Sequence, residues 1–217
     1  FPKMESTVYA ASDSSLRIKT ADESWRARLF AALHGEQNAG QESNASQFLE
    51  EISTHAMSTR SNPDVLVATW DGKHIVGAAW YLVQPGRTGI AGSLWLPAQN
   101  APSAAEPGTQ LLAVQQEMLA ARGCQLIQAW LPQSTGEAAH RLQQAGLQHV
   151  ADVDCLVSLP HHWPKTMPSL DSQLHFVGCR SAHQGRLKAV LSATYTDTLD
   201  CPGINALRNI EDVLEGY

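Results

Sequence analysis

Apolar positions along the chain follow two rhythms, one returning every three to four residues and one alternating, and the switches between them order the elements. Leu16 to Lys19 reads as a short strand, and Thr20-Ala-Asp-Glu23 as a capping box that starts a helix. Trp25, Leu29, Ala32 and Leu33 form the stripe of that helix, and Gly35 is expected to end it. Asn44-Ala-Ser-Gln47 opens a second helix, with Phe48, Leu49, Ile52 and Ala56 on one face, ending before Pro63. Val65 to Thr69 and His74 to Val83 are rich in strand-forming residues and flank Trp70-Asp71-Gly72-Lys73, a strong hairpin signal. Pro85-Gly86 then turns the chain into a strand at Gly89 to Leu96, which completes an antiparallel meander.

Pro107-Gly108 is expected to open a helix running to about Arg122 and stopped by Gly123. Leu111, Leu112, Val114, Met118 and Leu119 share one arc of it, and Gln115 is the polar exception on that arc. A compact strand follows at Gln125 to Leu131, stopped by Pro132, then a helix from Gly136 to Ala145 ended by Gly146. Gln148 to Leu159 reads as one or two final strands. The order implies an α/β fold of the mixed kind: a mostly antiparallel, twisted sheet with helices on both faces.

Pro160, Pro164 and Pro168 mark a linker, and beyond it the opening of the chain recurs. Leu16, Arg28, Leu29, Ala31 and Leu33 reappear 158 positions later as Leu174, Arg186, Leu187, Ala189 and Leu191, without gaps. The expected organisation is a complete domain over 1–159, a linker over 160–173, and the first strand and helices of an incomplete second domain over 174–217. Asn209 to Gly216 would be the second helix of that copy.

Composition narrows the possibilities. Among 217 residues, 15 Lys plus Arg face 21 Asp plus Glu, a net charge of -6, and no basic run could neutralise a row of phosphates, so nucleic acid is not an expected partner. No apolar stretch is long enough for a membrane span and the first residues lack a signal-peptide core. Cys124, Cys155, Cys179 and Cys201 form no C-x-x-C pair, so no metal is expected, and free thiols fit a cytoplasmic location. Hydrolase, metalloprotease and P-loop motifs are absent. Tyr195, Asp200 and Cys201, in a stretch just after a helix, form a chemically capable set.

The element order, the G-x-x-L-L of Gly108 to Leu112, the strand Gln125 to Leu131 and the A-x-x-L-x-x-A-G-L of Ala139 to Leu147 resemble the GNAT superfamily of N-acetyltransferases. The resemblance covers about Leu16 to Leu159. It implies acetyl-CoA as cofactor, held where the fourth and fifth strands, Gly89 to Leu96 and Gln125 to Leu131, splay apart. Leu94, Trp95 and Leu96 would run along the pantetheine arm, and Gly108 and Thr109 would meet the pyrophosphate at a helix start. It also implies an acceptor side lined by the connection between the first two helices, where Tyr195, Asp200 and Cys201 stand in the second copy.

The pyrophosphate loop, Ser103 to Gly108, departs from the family's Q/R-x-x-G-x-G/A: Ser103 replaces a long polar residue, Glu106 a glycine, and Pro107 removes an N–H. Leu142 stands where many members carry a Tyr that protonates the leaving thiolate. No residue is therefore assigned a catalytic role, and acetyl-CoA binding is expected to be weak or absent. The resemblance implies an N-acetyltransferase moving an acetyl group from acetyl-CoA to a primary amine of a small molecule or peptide. The alternative is a non-catalytic scaffold or regulatory domain of that fold, with catalysis in a second domain.

Overall fold

A computed structural model describes residues 9–10, 16–38, 45–58, 63–97, 105–131, 135–154, 184–196, 202–205 and 207–215. The chain divides into two compact units, Phe1–His149 and Val150–Tyr217. The first holds a six-stranded sheet whose order in space is its order in sequence. Its elements are β1 (Tyr9–Ala10), β2 (Leu16–Thr20), α1 (Glu23–Asn38), α2 (Ala45–Ser58), β3 (Asp64–Trp70), β4 (His74–Gln84), β5 (Thr88–Trp95), α3 (Ala105–Ala121), β6 (Leu126–Gln128) and α4 (Glu137–Gln144).

Strands β1 to β5 are antiparallel neighbours, and only β5 and β6 run parallel, because α3 carries the chain back across the sheet. The β3–β4 hairpin forms where Asp71-Gly72 predicts it. Both residues have positive φ (51° and 66°), and the Lys73 N–H donates to the Trp70 carbonyl at 3.0 Å. Both faces of the sheet are covered, so β3 is buried without a break from Val65 to Thr69. Val65, Val67, Ala78, Trp80, Ile90 and Trp95 pack against Trp25, Leu29, Leu33 and Phe48 of α1 and α2. Leu66, Ala68, Ala79, Tyr81 and Ala91 pack against Leu111, Val114, Met118 and Leu119 of α3. This mostly antiparallel sheet with helices on both faces is the arrangement that the GNAT resemblance implied.

Several boundaries differ from the expected ones. The cap of α1 is Asp22, not Thr20: its Oδ1 accepts from the Trp25 N–H (2.9 Å) and the Ser24 hydroxyl (2.7 Å). Thr20 is not free for that task, because it still pairs with Leu66 in the ladder. α1 runs through Gly35 to Asn38, since a helix tolerates an internal glycine at a cost of about 1 kcal/mol. α3 begins at Ala105, two residues before Pro107, so the proline occupies the first turn, where a missing N–H breaks no internal bond.

The expected strand at Gln125 to Leu131 is only Leu126–Gln128, because it loses its neighbour β5 beyond that point. Gln148 to Asp154 contains no strand, and Val150 and Val153 are 45% and 55% exposed; a strand needs a neighbour to satisfy its backbone, and none lies beside this stretch among the described residues. The rest of that expectation, 155–159, lies outside them, as does the linker over 160–173.

The Asp22 carboxyl is held below its ordinary value, first by the Ser24 hydroxyl and then by the Trp25 N–H. A depressed carboxyl contributes stability that is present above its unfolded value and is lost as pH falls through the folded value. Asp22→Asn keeps a cap that cannot titrate. The fall in Tm below about pH 4, the ordinary aspartate range, should therefore be shallower in the variant, and thermal melts showing parallel acid limbs would count against this cap.

The second unit holds α5 (Gln184–Tyr195), α6 (Pro202–Asn205) and α7 (Ile210–Glu215), and Ser192 and Tyr195 of α5, Arg208, and Ile210 and Val213 of α7 line a pocket of about 110 Å³. Lys188 of α5 pairs with Glu211 of α7. α1 displaced by 158 positions would cover about 181–196, and α5 falls inside that span. The strand half of the repeat, from Leu174, lies outside the described residues. Among those residues no helix is long and apolar enough to cross a membrane.

Candidate active site

The ladder between β5 and β6 has three rungs, Thr88↔Leu126, Gly89↔Ile127 and Ile90↔Gln128. Beyond them the strands part, while β5 continues to Trp95 with β4 on its other side. Where they part, the β4–β5 register slips. Ala79 pairs with Leu94 and Tyr81 with Ala91, so Trp80 alone faces Gly92 and Ser93. Two residues against one is a β-bulge, which turns backbone groups out of the ladder.

Side chains hold that bulge from both sides of the sheet. From α3, the Gln115 amide donates to the carbonyls of Trp80 (2.5 Å) and Gly92 (3.4 Å). From α2, Glu51 Oε2 accepts from the Trp80 indole N–H (3.2 Å) and the Ser93 backbone N–H (3.3 Å), while its Oε1 accepts from Gln47 (2.9 Å). The polar exception on the α3 stripe is thus a fully buried clasp on two carbonyls at the bulge. Trp80 lies directly over Gly92, where no side chain could fit. Gln115 Oε1 and Ser93 Oγ are buried and have no hydrogen-bond partner.

A second convergence lies at the end of β5. Leu96, Gly108 in the first turn of α3, and Arg141 of α4 meet so closely that a Cβ on Gly108 would stand 2.6 Å from Arg141 Nη1 and 3.2 Å from Leu96 Cδ1. Arg141 pairs through Nη2 with Glu137, one turn back, and its side chain is only 18% exposed. Its Nη1 is buried without a hydrogen-bond partner. Gln116 ties α4 to α3 by donating to the Ala145 carbonyl at 3.0 Å. The room that Gly108 leaves is taken by the Arg141 guanidinium, whose Nη1 is a donor without a partner, and a donor of that kind suits the phosphate end of acetyl-CoA, which the resemblance implies.

Of the residues singled out from the sequence, Leu94, Trp95 and Leu96 follow the bulge. Trp95 is buried against the α1/α2 face, and Leu94 and Leu96 are half-buried on the α3 face. Gly108 is buried and Thr109, the next residue, is exposed. Tyr195 lies in the second unit and lines its pocket. Asp200 and Cys201 lie outside the described residues. Cys124 is a free, half-buried thiol beneath Gly89, and burial pushes its pKa up. No group of three potential metal ligands gathers among the described residues. Glu51, Gln115 and Arg141 escaped the sequence reading as site residues, and only Gln115 left a trace, as a polar residue on an apolar arc.

No protein-family model and no curated protein matches the chain. Several solved structures resemble it. An aminoglycoside acetyltransferase from an uncultured soil metagenomic sample, in complex with trehalose, is 14% identical, with a TM-score of 0.49 over 69% of this chain and 99% of its own. A transcriptional regulator from Bacillus halodurans C-125 is 18% identical, with a TM-score of 0.46 over 66% and 99%. YncA from Salmonella typhimurium, with its cofactor acetyl-CoA, is 17% identical, with a TM-score of 0.40 over 60% and 78%. At this level the likeness carries no substrate over to this chain.

Proposed function

We propose that the first unit binds acetyl-CoA where β5 and β6 part, and transfers the acetyl group to a primary amine of a small molecule or peptide. The observation that supports this best is the parting of two parallel strands beside a bulge clasped from both faces. Acetyl-CoA would supply a thioester carbonyl for attack by a neutral amine, the C–N bond forming as the C–S bond breaks and the nitrogen's surplus proton passing through water to the departing thiolate, which leaves as the free thiol. The end of β5 and the residue after it, Gly92 to Leu96, lay a backbone track along one wall. Glu51 fixes a carboxylate on the α2 side of the bulge, where it favours a cationic amine and a water that takes its proton. Binding is weak, because the first turn of α3 carries Glu106 and lacks the N–H of Pro107.

Titrating acetyl-CoA while following backbone amide shifts tests the location: changes should centre on Gly92 to Leu96 and Gly108, and changes centred elsewhere would refute it. Acetylation of a panel of amines, followed as released thiol, tests the transfer. Glu106→Gln should raise affinity about two- to five-fold by removing a negative charge from the helix start. An unchanged affinity would mean that this turn does not meet the phosphates.

One observation favours the second reading, a non-catalytic domain of this fold: α4 presents half-buried Leu142, which has no proton to give a leaving thiolate. Binding without transfer to any amine in the panel would decide for it.

A further inference from the structure

We infer that Arg141 is the cation that receives the phosphate end of acetyl-CoA, reaching it from α4 and not from the loop before α3. This rests on the acetyl-CoA reading of the same cleft and adds the residue that recognises the charged part of the ligand.

A guanidinium offers five N–H donors and keeps its charge at any ordinary pH, so burying part of it unpaired is costly. Arg141 spends Nη2 on Glu137 and holds Nη1 buried and unspent against Gly108 and Leu96. A purely structural pair between Glu137 and Arg141 would sit well in solvent, as residues four apart on a helix usually do. Here the arginine is drawn inward instead, to a spot that exists only because residue 108 has no side chain. That spot adjoins the end of β5, on the path from the bulge to the first turn of α3. An acceptor carrying negative charge, with oxygens free for a planar donor, completes the unspent edge of the guanidinium, and a pyrophosphate is such a group.

The test compares two ligands that share the thioester and pantetheine but differ in phosphate: acetyl-CoA and S-acetyl-pantetheine, titrated calorimetrically into the full chain. Wild type should prefer acetyl-CoA, and its preference should shrink as salt is raised. Arg141→Gln should weaken acetyl-CoA at least ten-fold and leave S-acetyl-pantetheine unchanged, with Arg141→Lys recovering part of the loss. Gly108→Ala, which displaces the guanidinium without removing it, should reproduce the selective loss, so a folding defect in one variant does not decide the outcome. Equal losses on both ligands, or none, would overturn the inference, the latter leaving Nη1 to a buried water. If wild type binds both ligands equally, the cleft assignment stands and the role of Arg141 falls. If it binds neither, both fall.

Discussion

Gly92→Ala is expected to destabilise the first unit by about 3 kcal/mol, at the upper end of what overpacking a core usually costs. A Cβ there would stand 1.9, 2.1 and 2.5 Å from Cε2, Cδ2 and Cζ2 of Trp80, distances that no small adjustment relieves. The indole cannot simply swing away, because it is 1% exposed within the α1/α2 cluster and its N–H is committed to Glu51. Shifting the strand instead would break the carbonyl contacts to Gln115. Urea denaturation of Gly92→Ala, Trp80→Ala and the double variant measures the effect. The two losses should be strongly less than additive, since removing the ring removes the clash. A loss below about 1 kcal/mol for Gly92→Ala alone, within the range of an ordinary surface change, would show that the bulge relaxes in a way this packing does not allow.

Gln115→Leu is expected to cost about 2 kcal/mol and, if the cleft binds acetyl-CoA as proposed, to abolish that binding as well. The substitution keeps the volume close but removes the Gln115 hydrogen bonds to the Trp80 and Gly92 carbonyls, each typically worth about 0.5–1.5 kcal/mol. Part of that loss is returned, because the unpartnered Oε1 goes too. Stability alone is therefore the weaker readout. The bulge geometry next to Ser93 should be lost as well, and calorimetry with acetyl-CoA on the folded variant reads that. Retained binding at wild-type affinity would mean that the bulge does not shape the cleft.

How much of this could be read from residues alone depended on range. Asp71-Gly72, the β-branched runs around it and the arc from Leu111 to Leu119 encode their structure within a few positions, and the meander and the long helix followed from them. Local signals misled where a neighbour in space decided the issue. Thr20 looks like a cap until β3 claims it for the ladder, and Gln125 to Leu131 looks like seven residues of strand until its partner turns away after Ile90. The site residues were harder still. Glu51 and Arg141 each have a partner four residues back, Gln47 and Glu137, and on sequence alone such pairs read as solvated helix faces. Glu51 meets Trp80 and Ser93 from 29 and 42 positions away, a distance at which spacing says nothing.

The clasped bulge also restricts how this sequence can drift. Glu51, Trp80, Gly92, Ser93 and Gln115 form a set in which the members depend on one another: the glycine admits the ring, the carboxylate accepts from the ring and from the Ser93 N–H, and the amide donates to the carbonyls of residues 80 and 92. A single exchange costs stability that a second exchange in the set could restore, so its members should be kept or replaced together. Homologues that lost glycine at 92 should have lost tryptophan at 80 as well.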